Sequence, residues 1–371
     1  MLANDKLRST LSRVLALVVA VTSLLLMWSP GAQARSGVKL KVITQNLYLG
    51  ADISDGLAAT DFSQLVAAAT REFAMVQATN FPERAMAIAN EVAGTTPDLI
   101  GLQEAVLWRS QTPADFSPTP NATHVEFDFV QLLLDALAAK GLHYAPIPGA
   151  TATNTDVEVP RQTAASPPTY QDIRLTDRDL LLARSDLPAS KLTVSNGKAA
   201  AFATQLSFPS PLLGSITILR SWVSADATLR GETVRVVDTH LESLFDPINA
   251  AQGLELLRGP LSTSLPVVLV GDLNSAAPTG TTYTELTGGG LIDAWTAAKA
   301  GGPGFTCCQR EDLRNPVSLL DQRIDFVMYK GAFQTHTVSL MGADQEDRTP
   351  SGLWPSDHAG VYAKLVLPLI R

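Results

Sequence analysis

The sequence predicts an α/β protein, and three observations carry that expectation. Short apolar runs of strand character alternate with amphipathic helical stretches from residue 36 onward. Prolines open several of the helical stretches and glycines close them. Repeats, low-complexity tracts and long linkers are missing from the pattern, so residues 35–371 read as a single domain. A content of 46% hydrophobic and 17% charged residues fits a folded chain with an ample core.

The elements follow in order. VKLKVIT (38–44) alternates as a strand. FPERAMAIANEVAG (81–94) reads as a helix with Pro82 in its first turn, Met86, Ala89 and Val92 on one stripe, and Gly94 as its stop. DLIGLQE (98–104) is the next strand. VEFDFVQLLLDALAAKG (125–141) reads as a helix whose core face is Phe129, Leu132, Leu133, Ala136 and Leu137. Residues 146–176, rich in Pro, Thr, Ala and Asp and without a period, read as a long surface loop. Strands resume at DLLLA (179–183), SITILRSWVSADAT (215–228) and ETVRVVDTH (232–240). PINAAQGLELLRG (247–259) is a helix, and PVVLVGD (266–272), RIDFVMYK (323–330) and AGVYAKLVL (359–367) complete a strand-rich set.

The first 34 residues stand apart. Lys6, Arg8 and Arg13 precede an apolar run of 14 residues, Val14–Met27, and Ala32 and Ala34 follow in the small-x-small pattern of a cleavage site. The run is short of the ~20 residues that span a bilayer. A cleaved signal peptide over 1–34, with an extracellular or periplasmic product, is the expectation; an uncleaved N-terminal anchor is the rival. Removing the leader takes away three cations and Asp5, so the formal charge moves from −8 to −10. That acidity argues against a protein that coats nucleic acid through bulk charge. Of the two cysteines, Cys307 and Cys308, adjacency allows a vicinal disulfide, but a reduced, partly buried pair is expected. Neither a disulfide scaffold nor a cysteine zinc site can be built from them.

One event recurs along the chain. An apolar strand runs out, and a residue suited to metal binding or proton transfer stands at its end. Asn46 follows VITQ, Glu104 follows LIGLQ, His240 follows VRVVDT, and Asp272 and Asn274 follow VVLVG. Asp325 is embedded in RIDFV, and Asp357 and His358 precede the last strand. Any one of these is a turn former or a structural histidine in isolation. Together they fit a site, because rigid strands can aim side chains at one point. Hard oxygen ligands such as Asn46, Glu104 and Asp357 suit Mg²⁺, with Mn²⁺ or Ca²⁺ as options. Histidines beside carboxylates suit acid–base work on an anionic substrate. The chain has neither a G-x-S-x-G elbow nor a Walker loop, which removes serine-hydrolase and P-loop chemistry.

QN (45–46), LIGLQE (99–104), THLE (239–242), GDLN (271–274), RIDFV (323–327) and SDH (356–358) occur in one order. In this the chain closely resembles the endonuclease/exonuclease/phosphatase superfamily, in particular its deoxyribonuclease and sphingomyelinase branches, over roughly residues 38–367. The resemblance implies a four-layer α/β/β/α sandwich of two packed mixed sheets with the site at one end. It implies Asn46, Glu104 and Asp357 at the metal, and Asp272 and Asn274 orienting water and holding a phosphate oxygen. It implies His358 backed by Asp325, and His240 as a second histidine. Asp177, with Asp179 as competitor, matches the acidic residue that supports that second histidine. Arg220 falls where a phosphate-contacting arginine is expected, with a structural ion pair as the alternative.

The function so implied is secreted, metal-dependent hydrolysis of phosphate esters, as a phosphodiesterase or nuclease. Asp272 would align the water, His358 deprotonate it, and His240 steady the leaving oxygen. A sphingomyelinase- or inositol-phosphatase-like activity is the alternative, and an inactive binding protein on the same scaffold is the reading from another class. The substrate stays open between nucleic acid and a phospholipid or inositol head group; a lipid would predict exposed aromatic tips, for which Trp108, Tyr170, Trp222, Trp295 and Trp354 are candidates. A monomer without an obligate protein partner is expected.

Overall fold

The computed structural model describes residues 37–368 apart from 118 and 213, so the leader read at 1–34 lies outside the described residues. Val38–Leu367 form one compact unit. Among the described residues no helix is long and apolar enough to cross a membrane.

The chain enters on β1 (Val38–Asn46) and runs through helices Ser54–Ala58, Phe62–Ala78 and Phe81–Thr95 to β2 (Leu99–Gln103). Next come β3 (Leu107–Gln111), β4 (His124–Asp128), the helix Phe129–Ala139, and a long hairpin of β5 (Tyr144–Ala165) and β6 (Pro168–Arg184). β7 (Thr193–Ala201) leads to a small ribbon of β8 (Leu206–Ser210) and β9 (Gly214–Ile218), followed by β10 (Ser221–Leu229) and β11 (Glu232–His240). Helix Asp246–Arg258, β12 (Val267–Asp272), helix Thr281–Gly288, β13 (Ile292–Asp293), β14 (Asp325–Lys330), β15 (Gln334–Met341) and β16 (Gly360–Leu367) complete the path.

Two mixed sheets result. One has the order β15-β16-β1-β2-β6-β3-β4, with β5 also paired to β6; the other has β13-β14-β12-β11-β10-β7. Period-2 alternation assigns the faces. In the first sheet Val38, Leu40 and Val42 look into the space between the sheets, whereas Ile43, Ile100 and Leu102 pack with Phe73, Ile88 and Leu133 of the outer helices. In the second, Val268 and Val270 face inward while Leu269 meets Leu256 and Leu286 of its own helices. This is the four-layer α/β/β/α sandwich that the resemblance implied.

The sheets close tightly beneath the site. A Cβ on Gly101 would stand 2.5 Å from both Asp238 Oδ1 and Val270 Cγ2. Gly271, at φ +145°, leaves no room for a side chain against the Thr239 carbonyl of the neighbouring strand. Glycine is required at both positions.

Several local expectations are corrected. Residues 146–176 form most of the β5–β6 hairpin rather than a loop. Its register shifts between Pro146 and Thr151, Thr153 and Asp156, and Gln162 and Ala164 erase the alternation by which a strand is recognised. The helix read over 125–141 starts only at Phe129, because Asp128 caps it by accepting from the amides of Val130 and Gln131. Residues 215–228 divide into β9 and β10, with Leu219 and Arg220 between them. Met86 is exposed, and the helix buries Ala85, Ile88, Ala89 and Val92 instead. Cys307 and Cys308 are recorded as a disulfide, not a reduced pair, with Cα atoms 3.0 Å apart.

Candidate active site

Strand register gathers the site. On the second sheet His240 lies opposite Asp272 across the parallel pair β11–β12, and Asp272 lies opposite Asp325 across β12–β14. On the first sheet Asn46 ends β1 and pairs with Gln103, which puts Glu104 one residue beyond β2. Asp357 and His358 lie just before β16, the antiparallel partner of β1. Both sheets therefore deliver polar side chains to one end of the sandwich.

Asp272 is the meeting point. Its Oδ2 accepts from Asn46 Nδ2 at 3.2 Å and lies 3.5 Å from His240 Nε2 and 3.8 Å from His358 Nδ1. Its Oδ1 accepts from the Asn274 amide at 2.9 Å. Asn46 also donates to Glu104 Oε1 at 3.2 Å, and the Leu49 amide donates to Glu104 Oε2 at 2.7 Å. His358 Nδ1 stands 2.9 Å from Asp325 Oδ2. Glu104 and Asn274 hold φ of +52° and +46°, a left-handed backbone that costs a non-glycine residue about 1 kcal/mol and that concentrates at functional sites.

The electrostatics separate the titratable groups. Burial pushes the Asp272 carboxyl up to about 7, with Asp325 adding repulsion. Burial lowers His240 well below the usual histidine range, and Arg220 and His358 push it further down. Burial opposes charge on His358 as well, but Asp325, Asp357 and Asp272 together raise it well above that range. The carboxylates thus favour the imidazolium form of His358, while burial favours neutral imidazole at His240. Arg220 Nη1 approaches His240 Nδ1 at 2.9 Å, which leaves the ring proton on Nε2, facing Asp272.

The remaining sequence candidates divide. Arg220 has no carboxylate partner within ion-pair distance among the described residues, and its Nε is buried without a hydrogen bond. It lines a groove with Glu104 and Asp177, and its positive charge favours ionisation of Asp177 and Asp179. Asp177 does not support His240. It belongs to the other sheet, its Oδ2 accepts from Asn154 Nδ2 at 3.1 Å, and Arg220 occupies the histidine's free nitrogen. Asp179 shares that Asn154 amide at 2.8 Å. Asn274 Nδ2 donates to the Leu241 carbonyl at 3.0 Å, which fixes the side chain beside β11. Of the aromatic candidates, Trp108 and Trp354 are buried and Tyr170, Trp222 and Trp295 are half-buried.

Arg84 is a contributor that sequence reading missed. Fully buried, it donates to the carbonyls of Thr79, Leu47, Pro355 and Tyr48, tying the segment after Asn46 to the segment before Asp357. Its position three residues after Phe81 and four before Ile88 puts it on the buried stripe, so the signal was available. Asp238 was likewise readable: it continues the inward alternation of Val234 and Val236, and accepts from Gln103 between the sheets.

The residues fit a divalent cation. Glu104 and Asp357 line one cavity of about 310 Å³. Burial, followed by repulsion from Asp357 and Asp177, pushes Glu104 up to about 8, and burial raises Asp357 too. Asp177 and Asp179 each keep a buried carboxylate oxygen without a partner. Carboxylates crowded this way want a positive charge among them, and an all-oxygen donor set selects a hard ion.

Two packed mixed sheets with this cluster at one end define a sandwich hydrolase of phosphate esters. The chain belongs to the Endonuclease/Exonuclease/phosphatase family, whose model matches residues 43–358. An endonuclease/exonuclease/phosphatase family protein of Bacteroides thetaiotaomicron superposes with a TM-score of 0.53 at 15% identity, over 90% of this chain and 97% of that one. D. rerio TDP2 complexed with single-strand DNA product gives 0.50 at 17%, over 89% and 99%. A mannosyl-6-phosphatase of Bacteroides thetaiotaomicron gives 0.50 at 16%, over 88% and 100%. At these identities the superpositions establish the fold. No curated protein matches the chain.

Proposed function

We propose that the protein is an exported, divalent-cation-dependent phosphodiesterase that hydrolyses its ester by direct attack of water. The observation that carries this reading is the position of Asp272 Oδ2, within 3.8 Å of Asn46, His240 and His358 from both sheets. A carboxyl pushed up to about 7 is matched to taking a proton from water near neutral pH. In this reading Asp272 is the base, a step that the family resemblance had implied for His358. The imidazolium of His358, backed by Asp325, donates to a phosphate oxygen and carries positive charge where negative charge develops. His240 offers its Nε2 proton on the other side of Asp272, and Arg220 fixes that tautomer. Mg²⁺, Mn²⁺ or Ca²⁺ held by Glu104, Asp357 and Asn46 would neutralise charge on the scissile phosphate when bound.

The test is hydrolysis of bis-p-nitrophenyl phosphate with MgCl₂ and with EDTA. Turnover that EDTA abolishes and Mg²⁺ restores is expected. Absence of turnover on this ester and on plasmid DNA would favour the inactive binding protein. Export is tested separately by sequencing the N-terminus of the protein recovered outside the cytoplasm: a start at Arg35 is expected, and a start at Met1 contradicts cleavage.

A further inference from the structure

A second cavity, of about 110 Å³, adjoins the catalytic groove. Its walls include Leu65, Ala69 and Phe73 of the helix Phe62–Ala78, Trp108 of β3, and Val157 and Ile173 of the β5–β6 hairpin. The groove that holds Glu104, Asp177 and Arg220 measures about 210 Å³. Ile53, Leu57, Thr155, Leu175 and Ile216 line both spaces, so the charged end and the apolar end meet across those side chains. At the groove's outer edge Leu219 and Leu244 stand in water, 38% and 62% exposed.

The chemistry of the second cavity is selective. Its one ionisable wall residue, Glu72, already accepts from the Gly56 amide at 2.8 Å. The indole N–H of Trp108 is committed to the Leu49 carbonyl at 3.0 Å. A nucleobase or sugar placed here would leave its own donors and acceptors unpaired, which is unfavourable in an apolar space. A hydrocarbon chain has none to leave. An apolar cavity of about 150 Å³ takes a benzene ring, so this one accommodates roughly four to six carbons.

We infer that the substrate is an amphiphilic phosphate ester whose alkyl chain enters this cavity while its phosphate sits among Glu104, Arg220 and Asp272. The inference rests on the phosphoesterase reading above and names the substrate class of that site. The chain lies against helix Phe62–Ala78 and the long hairpin, and the polar remainder of the substrate faces the open groove.

The experiment is a series of alkyl p-nitrophenyl phosphates (methyl, butyl, hexyl and dodecyl) with Mg²⁺, all with the same aryl leaving group. The value of kcat/KM is expected to rise about threefold to fourfold per methylene, as for burial of a CH₂ group, and to flatten near six carbons. Ala69→Phe fills the cavity and Val159→Asp charges its wall, and neither residue lines the catalytic groove. Both are expected to erase the chain-length gain while leaving the methyl ester rate unchanged, with thermal midpoints confirming that each variant is folded. Rates independent of chain length on an active enzyme overturn the inference and leave the phosphoesterase reading standing. If every ester is inert, the phosphoesterase reading fails, and calorimetry with hexyl phosphate against inorganic phosphate decides the cavity: equal affinities overturn it, and tighter hexyl phosphate binding that Ala69→Phe removes upholds it.

Discussion

His358 shows how one side chain's charge is decided by its surroundings. Burial alone would keep the imidazole neutral; three carboxylates overrule burial. His358→Ala removes that positive charge from the phosphate, and we expect a 10³- to 10⁴-fold fall in kcat with the fold intact, measured by steady-state kinetics and circular dichroism. Arg220 is the second test at this scale. If it faces the substrate, Arg220→Ala lowers kcat/KM about 100-fold with little change in thermal midpoint. A structural role would show the reverse, a lower midpoint with unaltered kinetics. The residues of the site were legible because each stands at one end of an apolar strand: Asn46, Glu104, His240 and Asp272 where a strand stops, Asp325, Asp357 and His358 where one begins. The partner of His240 was not, since Arg220 lies between β9 and β10, 43 positions from Asp177 on β6, and nothing local says which one reaches the ring.

Among the elements, helix Phe81–Thr95 does the most to position the site. Arg84 uses the planar fork of its guanidinium to hold four carbonyls, and its pKa is lowered to about 10 by burial, with Asp357 and Tyr48 opposing the shift. Lysine cannot reach four acceptors from one point, so Arg84→Lys should destabilise the protein by roughly 3 kcal/mol or more, read by denaturant unfolding. An unchanged midpoint would show that the two loops hold themselves. Two turns further along the same face, the helix carries Glu91, pushed up to about 7 by burial, by a hydrogen bond with Asp347 and by repulsion from Asp347 and Asp344. A raised carboxyl pKa contributes stability below the ordinary value near 4.5 and loses it as pH rises through about 7. Glu91→Gln should therefore raise the midpoint at pH 8, by roughly 2 °C after allowance for solvent screening, and leave it unchanged at pH 4. At this scale the sequence is least legible where periodicity breaks. The strand β11 pairs without a register shift on either side and was found with its bounds intact, whereas three irregularities hid the β5–β6 hairpin. The division between β9 and β10 was hidden because apolar residues flank Arg220 on both sides.

For the whole molecule, the two sheets act as two halves of one device. The first brings Asn46, Glu104, Asp357 and His358; the second brings Arg220, His240, Asp272 and Asp325. The buried carboxylates that crowd their junction are the basis of a prediction about cations. Saturating Mg²⁺ should raise the thermal midpoint, and at a hundredfold excess over Kd the gain is about 2.7 kcal/mol. Glu104→Gln should abolish that rise; a rise that survives the substitution places the ion elsewhere. The sandwich itself was implied by six short motifs in order, while alternating strands and helices alone fixed only the α/β class. Layering and strand order depend on contacts far apart in sequence, such as β1 with β16, which no local pattern encodes. The most direct test of the two-sheet site is a double-mutant cycle between His358 and Asp325, one from each half, read as kcat/KM for bis-p-nitrophenyl phosphate with Mg²⁺. If the pair works as one unit, His358→Ala combined with Asp325→Asn is about as slow as His358→Ala alone. Losses that multiply would show two independent groups and contradict the account.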